Sequence, residues 1–432
     1  MAGDSASEHP DSGTGAEPPT PGSAPALSPW RFVVVFGVVS LLADVVYEGA
    51  RSITGPFLGS LGAGAVLVGV VTGAGEAAGL VLRLVSGPAA ERSGRYWAWT
   101  IAGYGLTVVA VPALALPVGL AGACALVVAE RVGKATRSPA KDTLLSHAGS
   151  PMGRGTAFAV HEALDQAGAF AGPLLVAAAV ALHGYALGFG ILAVPGLAVL
   201  VVLVWLARRV PDPQAYEEGV GRVPAPAPAR GSVALRGVSP LAGLGQVFWR
   251  YAVFSAVTMA GFATFGLIGF HLVQAHLVSP QAVPLVYAGA MATDAVAALA
   301  TGRLFDRWGL RVLVALPVLA GAGTALAFSG SLLPVLAGAV LWGAAMGVQE
   351  STMRAAVADL VPAARRPTAY GAFAAVYGIA WLAGGAGLGA LAGHAHAALV
   401  PVVLSVQAVA LAALWWVVSA ADPRPGQQAA QR

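Results

Sequence analysis

Charge is scarce in this 432-residue chain: 10% of residues are Asp, Glu, Lys or Arg, against about 25% in soluble proteins. Hydrophobic residues reach 57%, an apolar load that lipid can absorb and a water-soluble core cannot. Cys124 is the one cysteine, which excludes an intrachain disulfide and a paired-cysteine metal site. Asparagine is absent and lysine nearly so, while Ala, Gly, Arg and Pro abound; GC-rich coding explains this without invoking function. No basic start followed by an apolar run and a cleavage site opens the chain, so no secretory signal is read there. Residues 1–29 carry four acids, no Lys or Arg, and many Pro, Gly and Ser. They read as a disordered cytosolic tail, as do residues 421–432. The phosphate-binding pattern Gly-x-x-x-x-Gly-Lys-Ser/Thr is missing, because Gly133-Lys134-Ala135 lacks both the earlier glycine and the hydroxyl. An ATP-driven pump is thereby disfavoured. No nucleophile–base pair or metal cluster stands out, so the chain is not expected to be an enzyme or to need a cofactor. The formal charge of +4 comes from basic residues at the ends of apolar stretches and gives no reason to expect nucleic acid as a partner.

What is present is a succession of apolar stretches about 20 residues long, each able to cross a bilayer as a helix. They predict helices near 30–58, 65–86, 97–116, 118–137, 154–181 and 184–207, then 247–276, 283–302, 312–329, 333–354, 368–393 and 397–420. The expected fold class is an all-α membrane protein with twelve transmembrane helices in two pseudo-symmetric six-helix bundles, 30–207 and 247–420. A Pro-rich cytosolic linker, 208–246, separates them. Basic residues select the orientation. With the N-terminus inside, the cytosolic loops hold Arg92, Arg95, Lys141, Arg154, Arg208, Arg209, Arg222, Arg230, Arg236, Arg250, Arg307, Arg311, Arg365 and Arg366, whereas the opposite loops hold none. A multi-pass protein of the cell membrane with both termini cytosolic is therefore expected, monomeric and with lipid as its surroundings.

The two halves share a signature. Gly87-Pro-Ala-Ala-Glu91-Arg92-Ser-Gly94-Arg95 is echoed 215 positions later by Gly302-Arg-Leu-Phe-Asp306-Arg307-Trp-Gly309-Leu-Arg311, each time between two apolar spans. Arg137 and Asp142 after the fourth span are likewise echoed by Arg354 and Asp359 after the tenth. This repeated charged hairpin resembles the loop between the second and third helices of the major facilitator superfamily, with Glu91 where that family usually has Asp. The resemblance covers roughly 30–420. It implies a gate latch on the cytosolic side, formed by Gly87, Glu91, Arg92, Gly94 and Arg95 with Gly302, Asp306, Arg307, Gly309 and Arg311. The alternative is a tight charged hairpin that only fixes topology. In the fifth span, Gly168-Ala-Phe-Ala-Gly172-Pro173 looks like the antiporter motif of drug exporters, although Val176 and Ala177 replace glycines that follow there. The fourth-span exporter motif is matched only loosely, since Arg131 is followed by Lys134 and Ala135.

Ionisable side chains inside the bilayer each cost about 2.5–3.5 kcal/mol at the centre, so they are rare and functional or paired. Here they avoid spans 3, 6, 9 and 12. Those charge-free spans are expected to face lipid, as the resemblance implies for the third helix of each three-helix unit. Asp44, Glu48 and Arg51 share one helical face with Tyr47 alongside; Glu130, Lys134, Arg137 and Lys141 form a second stripe beside Arg131. Glu76, Arg83, Glu162, Asp165 and Asp294 complete the candidates for substrate binding and proton coupling. Glu76 and Asp294 lie in equivalent spans with no basic neighbour one turn away and read as unbalanced acids; with Asp44 they are the leading proton carriers, ahead of Glu162 and Asp165. Structural ion pairs, such as Glu48 with Arg51 or Glu130 with Lys134, are the alternative. Arg83 and Arg131 read as anion ligands or as partners of Glu76 and Glu130 across the bundle. His183, His271, His276, His394 and His396 read as interfacial. Together these features predict a secondary active transporter working by alternating access. The expected activity is proton-coupled efflux of a small organic molecule; proton-coupled uptake of a polar solute is the rival, and a non-transporting membrane sensor the remote one.

Overall fold

The computed structural model of the protein describes residues 26–218, 243–362 and 365–421. Most of the two tails, the central linker with its Arg222, Arg230 and Arg236, and Ala363 and Ala364 lie outside the described residues. Among those described there are helices and no strands. The chain opens as the sequence dictates. The Ser28 hydroxyl accepts from the Arg31 amide, 3.4 Å away, and Pro29 occupies the first helical position of α1, Pro29–Ser60. There follow α2, Ala65–Val81, and its near-continuation α3, Arg83–Ser93. Next come α4, Tyr96–Ala113; α5, Gly119–Gly149; α6, Arg154–Gly190; α7, Ala193–Arg209; and the short α8, Ala215–Glu218. The second half holds α9, Gln246–Ala260; α10, Phe265–Gln274; α11, Val283–Trp308; α12, Ala315–Ala327; α13, Leu332–Leu360; α14, Arg366–His394; and α15, His396–Ala421.

Eight helical stretches are long and apolar enough to cross a membrane. Two of them, Arg154–Arg209 and Val283–Ala327, are long enough for two crossings each. α6 turns back within the first at His183 and Gly184, and the second is interrupted by a 3-10 turn at Gly309–Val314. With α4 and the charge-bearing α5, the arrangement is consistent with twelve crossings. Contacts gather the ends of the chain on one face, called here the terminus face. The Tyr216 hydroxyl bonds the Leu27 carbonyl at 2.7 Å, the Trp97 indole bonds the Val210 carbonyl at 3.1 Å, and the Arg250 guanidinium lies 4.4 Å over the Trp416 ring. The opposite face is the far face.

Three differences from the expected spans have physical causes. α5 runs to Gly149, about three turns beyond the predicted end. Leu144, Leu145 and Ala148 on this extension are fully buried in a second core with Phe32, Phe36 and Tyr216, so the helix continues as an amphipathic element. The repeated hairpin is mostly helical, because α3 reaches Ser93 and α11 reaches Trp308. The reversal is left to Gly94 (φ 63°) and Gly309 (φ 57°); this left-handed region explains why both repeats keep glycine at that register. The predicted span 247–276 is two helices, α9 and α10, parted at Gly261–Ala263. The Thr264 side chain caps α10 by accepting from the Leu267 amide at 3.4 Å. Freed carbonyls are satisfied by buried side chains: Trp381 donates to Phe262 at 3.1 Å and Trp342 to Ala263 at 2.8 Å. Broken backbone within a membrane survives on such partners. Between the fifth and sixth spans the break falls where expected, at His183 and Gly184 (φ 69°).

The charge-free elements α4, α7, α12 and α15 lie at the periphery, with Val109, Val201, Val318 and Trp415 each more than half exposed. Lipid supplies no hydrophobic force between helices, so close packing rests on small residues. The halves meet along α1 with α10, α2 with α14, and α6 with α11. On the far side this contact is backbone to backbone, since a Cβ on Gly55 would overlap the Gly266 carbonyl oxygen.

Candidate functional site

Charged residues that are scattered in sequence close on one another in the N-terminal half. Arg51 of α1 donates to Glu76 of α2 at 2.8 Å and stands 3.6 Å from Glu48, one turn back on its own helix. Arg131 of α5 reaches the same Glu76 oxygen at 3.3 Å and Glu130 at 3.2 Å. It also donates to the Tyr47 hydroxyl. The Tyr47 ring receives Lys134, whose ammonium is 3.5 Å from the centroid, and Arg131 at 4.5 Å, a cation–π arrangement strengthened by exclusion of water. Tyr287 of α11 donates to Glu48 and carries the network across to the C-terminal half. Glu48, Glu130 and Arg131 are all below 9% exposed.

This cage corrects one expectation. Glu76 is the most heavily paired acid of the set rather than an unbalanced one, because helices α1 and α5 bring it partners that spacing along α2 could not reveal. The expected Glu48–Arg51 pair is present, while Glu130 pairs with Arg131 rather than with Lys134. Beside the cage lies a small cavity of ≈ 30 Å³, bordered by Tyr47, Arg51, Glu76, Glu130, Arg131 and Thr264. That is space for a few waters at most. Glu130 keeps one buried oxygen without a partner among the described residues. The Thr264 hydroxyl, at the break between α9 and α10, meets Thr72 of α2 at 2.7 Å.

Nearer the terminus face, one Asp165 oxygen lies 3.4 Å from the His161 ring and 3.9 Å from the Lys141 ammonium, and the other has no partner among the described residues. Asp44 belongs to this layer, its charge interacting with Asp165 and Lys134. Gly168 and Gly172 of α6 let that helix ride on α1. A Cβ on Gly168 would collide with the Leu41 carbonyl and stand 3.1 Å from the Asp44 Cβ, and one on Gly172 would stand 3.0 Å from the Gly49 amide. Pro173 follows inside the same helix.

The C-terminal half is different in kind. Asp294 of α11 is 3% exposed and has one carboxyl oxygen without a partner among the described residues. Its charge interacts most strongly with Glu350 of α13, then with Glu48, Arg51 and Glu162. Glu350 is a functional candidate outside the set drawn from the sequence; its position one helical turn before Arg354 was the available signal. Glu350 and Glu162, from opposite halves, interact electrostatically with each other, yet both are solvent-exposed. Both lie on the half of the molecule nearer the terminus face, Glu162 early in α6 and Glu350 late in α13.

Arg83 stands apart from the cage. The strongest charge acting on it is Arg354 of the other half, ahead of Asp142, Arg137 and Glu76. In the repeated hairpin, Glu91, Arg92, Arg95, Asp306, Arg307 and Arg311 are exposed at the terminus face, with Gly87 and Gly302 inside helices. Outside the membrane-spanning segments, Glu217 of α8 accepts from Arg154 at 2.7 Å and pairs with His147 at 3.2 Å. Partial burial pushes its carboxyl upward, but the hydrogen bonds from Arg154 and His147 outweigh that and hold it below the usual range. At the far face the rings of His271 and His396 stack at 5.4 Å.

Comparison with known proteins agrees with this architecture. The chain is 55% identical over 392 residues to the uncharacterized protein Rv2265 of Mycobacterium tuberculosis, covering 90% of this chain and 93% of the relative. The uncharacterized protein Mb2288 of Mycobacterium bovis matches to the same extent. Among solved structures, the nucleoside transporter NupG superposes with a TM-score of 0.68 at 12% identity, over 91% of this chain and all of NupG. An inward-facing bacterial homologue of the human lysosomal transporter Spinster gives 0.65 at 15% identity, over 92% and 96% of the two chains. A POT family transporter in complex with 5-aminolevulinic acid gives 0.63 at 12% identity, over 90% and 96%. The sequence profile of the Major Facilitator Superfamily matches residues 39–277 and 257–432. The chain belongs to the Major Facilitator Superfamily and is a multi-pass membrane transporter.

Proposed function

We propose that this transporter is proton-coupled and moves a small organic molecule out of the cell as protons enter. The observation that carries the coupling is Asp294: a carboxyl inside the bilayer, almost fully enclosed, with one oxygen lacking a partner among the described residues and Glu350 as the charge that acts on it most strongly. An enclosed carboxyl near a second carboxylate does not ionise cheaply, so Asp294 takes up a proton by way of the exposed Glu350 and releases it when access changes. Glu48, Glu76 and Glu130 serve as a fixed cage, each already held by a cation or a phenol. Alternating access follows from rocking of the two halves. The segments 30–207 and 247–420 act as the moving bundles, and the repeated hairpins latch them on the terminus face, which is cytosolic in this reading. The charge-bearing loops favour that orientation in the cell membrane. The protein works as a monomer with no cofactor beyond the proton gradient.

Efflux is supported by the span that resembles exporters, because Gly168 and Gly172 provide the close approach of α6 to α1 that such a motif requires. Proton-coupled uptake of a polar solute is the second reading, favoured by the hydroxyl pair Thr72–Thr264 beside the cavity. A ligand found by thermal shift on detergent-purified protein is then followed in proteoliposomes with an imposed pH gradient. Asp294→Asn should abolish gradient-driven accumulation while leaving solute exchange at equal pH intact. Full gradient-driven flux in that variant would refute the assignment. Collapse of the proton gradient in cells separates the directions, since an exporter's substrate then accumulates and an importer's is lost.

A further inference from the structure

We propose that Arg83 and Arg354 form a clamp for an oxyanion group, carboxylate or phosphate, at the terminus-face mouth of the central space, and that the solute carried is an organic anion. This deepens the transporter reading above and rests on it.

Placement comes first. α3 is fixed on α5 by the Ser86 hydroxyl, which donates to the Ala135 carbonyl at 2.7 Å. Leu84, next to Arg83, packs on Gly371 of α14 so closely that a Cβ there would stand 2.7 Å away. Tyr370, the neighbour of Gly371, donates its hydroxyl to the Arg354 carbonyl at 3.2 Å. This chain of contacts runs from Arg83 across the boundary between halves to Arg354, and it agrees with Arg354 being the strongest charge felt by Arg83.

The second observation is that both guanidiniums lack partners. Other membrane-embedded cations of the first half are occupied: Arg51 and Arg131 by Glu76, Lys134 by the Tyr47 ring, Lys141 by Asp165. Arg137 donates to Thr107 at 3.0 Å and lies 4.4 Å over the Tyr104 ring. The Arg83 Nε, in contrast, is buried with no acceptor among the described residues. Arg354 is exposed and has no carboxylate within 4.0 Å among the described residues. The acids that face the pair are Asp142, exposed at its edge, and Glu350, one turn above Arg354.

Two facing guanidiniums without a counter-ion repel each other, and the cost is high where water is displaced. Their planar forks match the two oxygens of a carboxylate or phosphate. One arginine comes from each half, so closing the terminus face drives the two together. An oxyanion held between them removes that repulsion, which makes the loaded carrier easier to close than the empty one.

The test is thermal unfolding of the full chain in detergent, with sodium phosphate, succinate and glucose 6-phosphate as probes against sodium chloride at equal ionic strength. The wild type should be stabilised by at least one oxyanion beyond chloride. Arg83→Gln and Arg354→Gln should each weaken its apparent affinity by about tenfold or more, the value of a charge-assisted hydrogen bond. Without the anion, both variants should fold and melt no lower than wild type, since Arg83→Gln removes an unpaired, largely enclosed charge and Arg354→Gln removes the like charge acting on it. Arg83→Lys, which keeps the charge and loses the fork, should fall between. Lipid headgroups are distinguished in nanodiscs: a phosphate group from lipid would stabilise the wild type in phosphatidylglycerol over phosphatidylcholine and lose that preference in the double variant. No oxyanion effect beyond chloride in either setting, or an effect that survives in the double variant, would overturn the clamp. The oxyanion effect is read on wild type and the arginine variants at one pH without a gradient, and coupling from gradient-driven flux, so failure of proton coupling and failure of the clamp are read separately.

Discussion

Replacing Glu76 by Gln should damage the fold, whereas replacing Asp294 by Asn should not. Glu76 accepts from Arg51 at 2.8 Å and Arg131 at 3.3 Å, and all three side chains are 10–15% exposed. Removing one partner of a buried ion pair costs about 3–5 kcal/mol, because the other charge stays buried and uncompensated. Here two cations lose one acceptor, but each has a second carboxylate nearby: Glu48 at 3.6 Å for Arg51 and Glu130 at 3.2 Å for Arg131. Gln also retains a carbonyl oxygen of the same reach. The loss for Glu76→Gln therefore belongs at the lower end, about 3 kcal/mol. Asp294 has no cation partner within salt-bridge distance among the described residues, so Asn removes a charge that cost stability and preserves shape. Melting in micelles, followed by tryptophan fluorescence, should rank Asp294→Asn at or above wild type and Glu76→Gln clearly below both. In the double variant Arg51→Gln/Glu76→Gln, the two losses should sum to more than the measured whole, as for residues in one network. If Glu76→Gln melts with the wild type and the double variant is additive, the cage is not a structural unit and the reasoning fails.

Two further outcomes follow. Gly55→Ala places a Cβ onto the Gly266 carbonyl. It should weaken far-face closure by about 1–3 kcal/mol, read as faster maleimide labelling of T264C from the far side in a Cys124→Ser background; unchanged labelling would show that this contact does not hold the face shut. The Glu217 carboxyl is held below its ordinary value of 4.5. A depressed carboxylate stabilises the fold above the unfolded pKa and loses that contribution as pH falls through the folded one. The melting difference between wild type and Glu217→Gln should thus be small, below about 1 kcal/mol for so exposed a cluster, constant near pH 7, and vanish below about pH 4.5; a pH-independent difference would disprove the linkage.

The fold was legible because membrane burial writes itself on composition. Spans without charge became the peripheral helices, since a helix that touches lipid cannot carry an ion, and the repeated Gly94 and Gly309 marked the reversals. The site was legible only in its membership. Spacing along one helix found Glu48 with Arg51, but it made Glu76 look isolated, because its partners arrive from α1 and α5 and no local pattern records that. The break at Gly261–Ala263 was missed for a related reason. Hydropathy runs unbroken through Phe262 and Ala263, and the carbonyls freed there are rescued by Trp342 and Trp381, some 80 and 120 residues on. Glycine at 261 and a capping threonine at 264 were the local cues.

Under the proposed coupling, Tyr287 is what lets a proton on one half be felt by the other. It lies two turns before Asp294 on α11, hence on nearly the same face, and its hydroxyl holds Glu48 of the cage. Glu48 is also among the charges that act on Asp294. An ionised Asp294 therefore repels the carboxylate to which Tyr287 ties its helix, and a protonated one does not. The proton thus favours the arrangement in which the halves meet through Tyr287 and Glu48, the one seen here with the far face closed. By linkage, that arrangement must in turn favour the proton. The caged acids Glu76 and Glu130 suit this purpose less, because neutralising either removes one of the two carboxylates that hold Arg131. A stiff cage on one side and a lone carboxyl on the other is thus a division that the cost of buried charge imposes: the half that titrates must be the half without fixed partners.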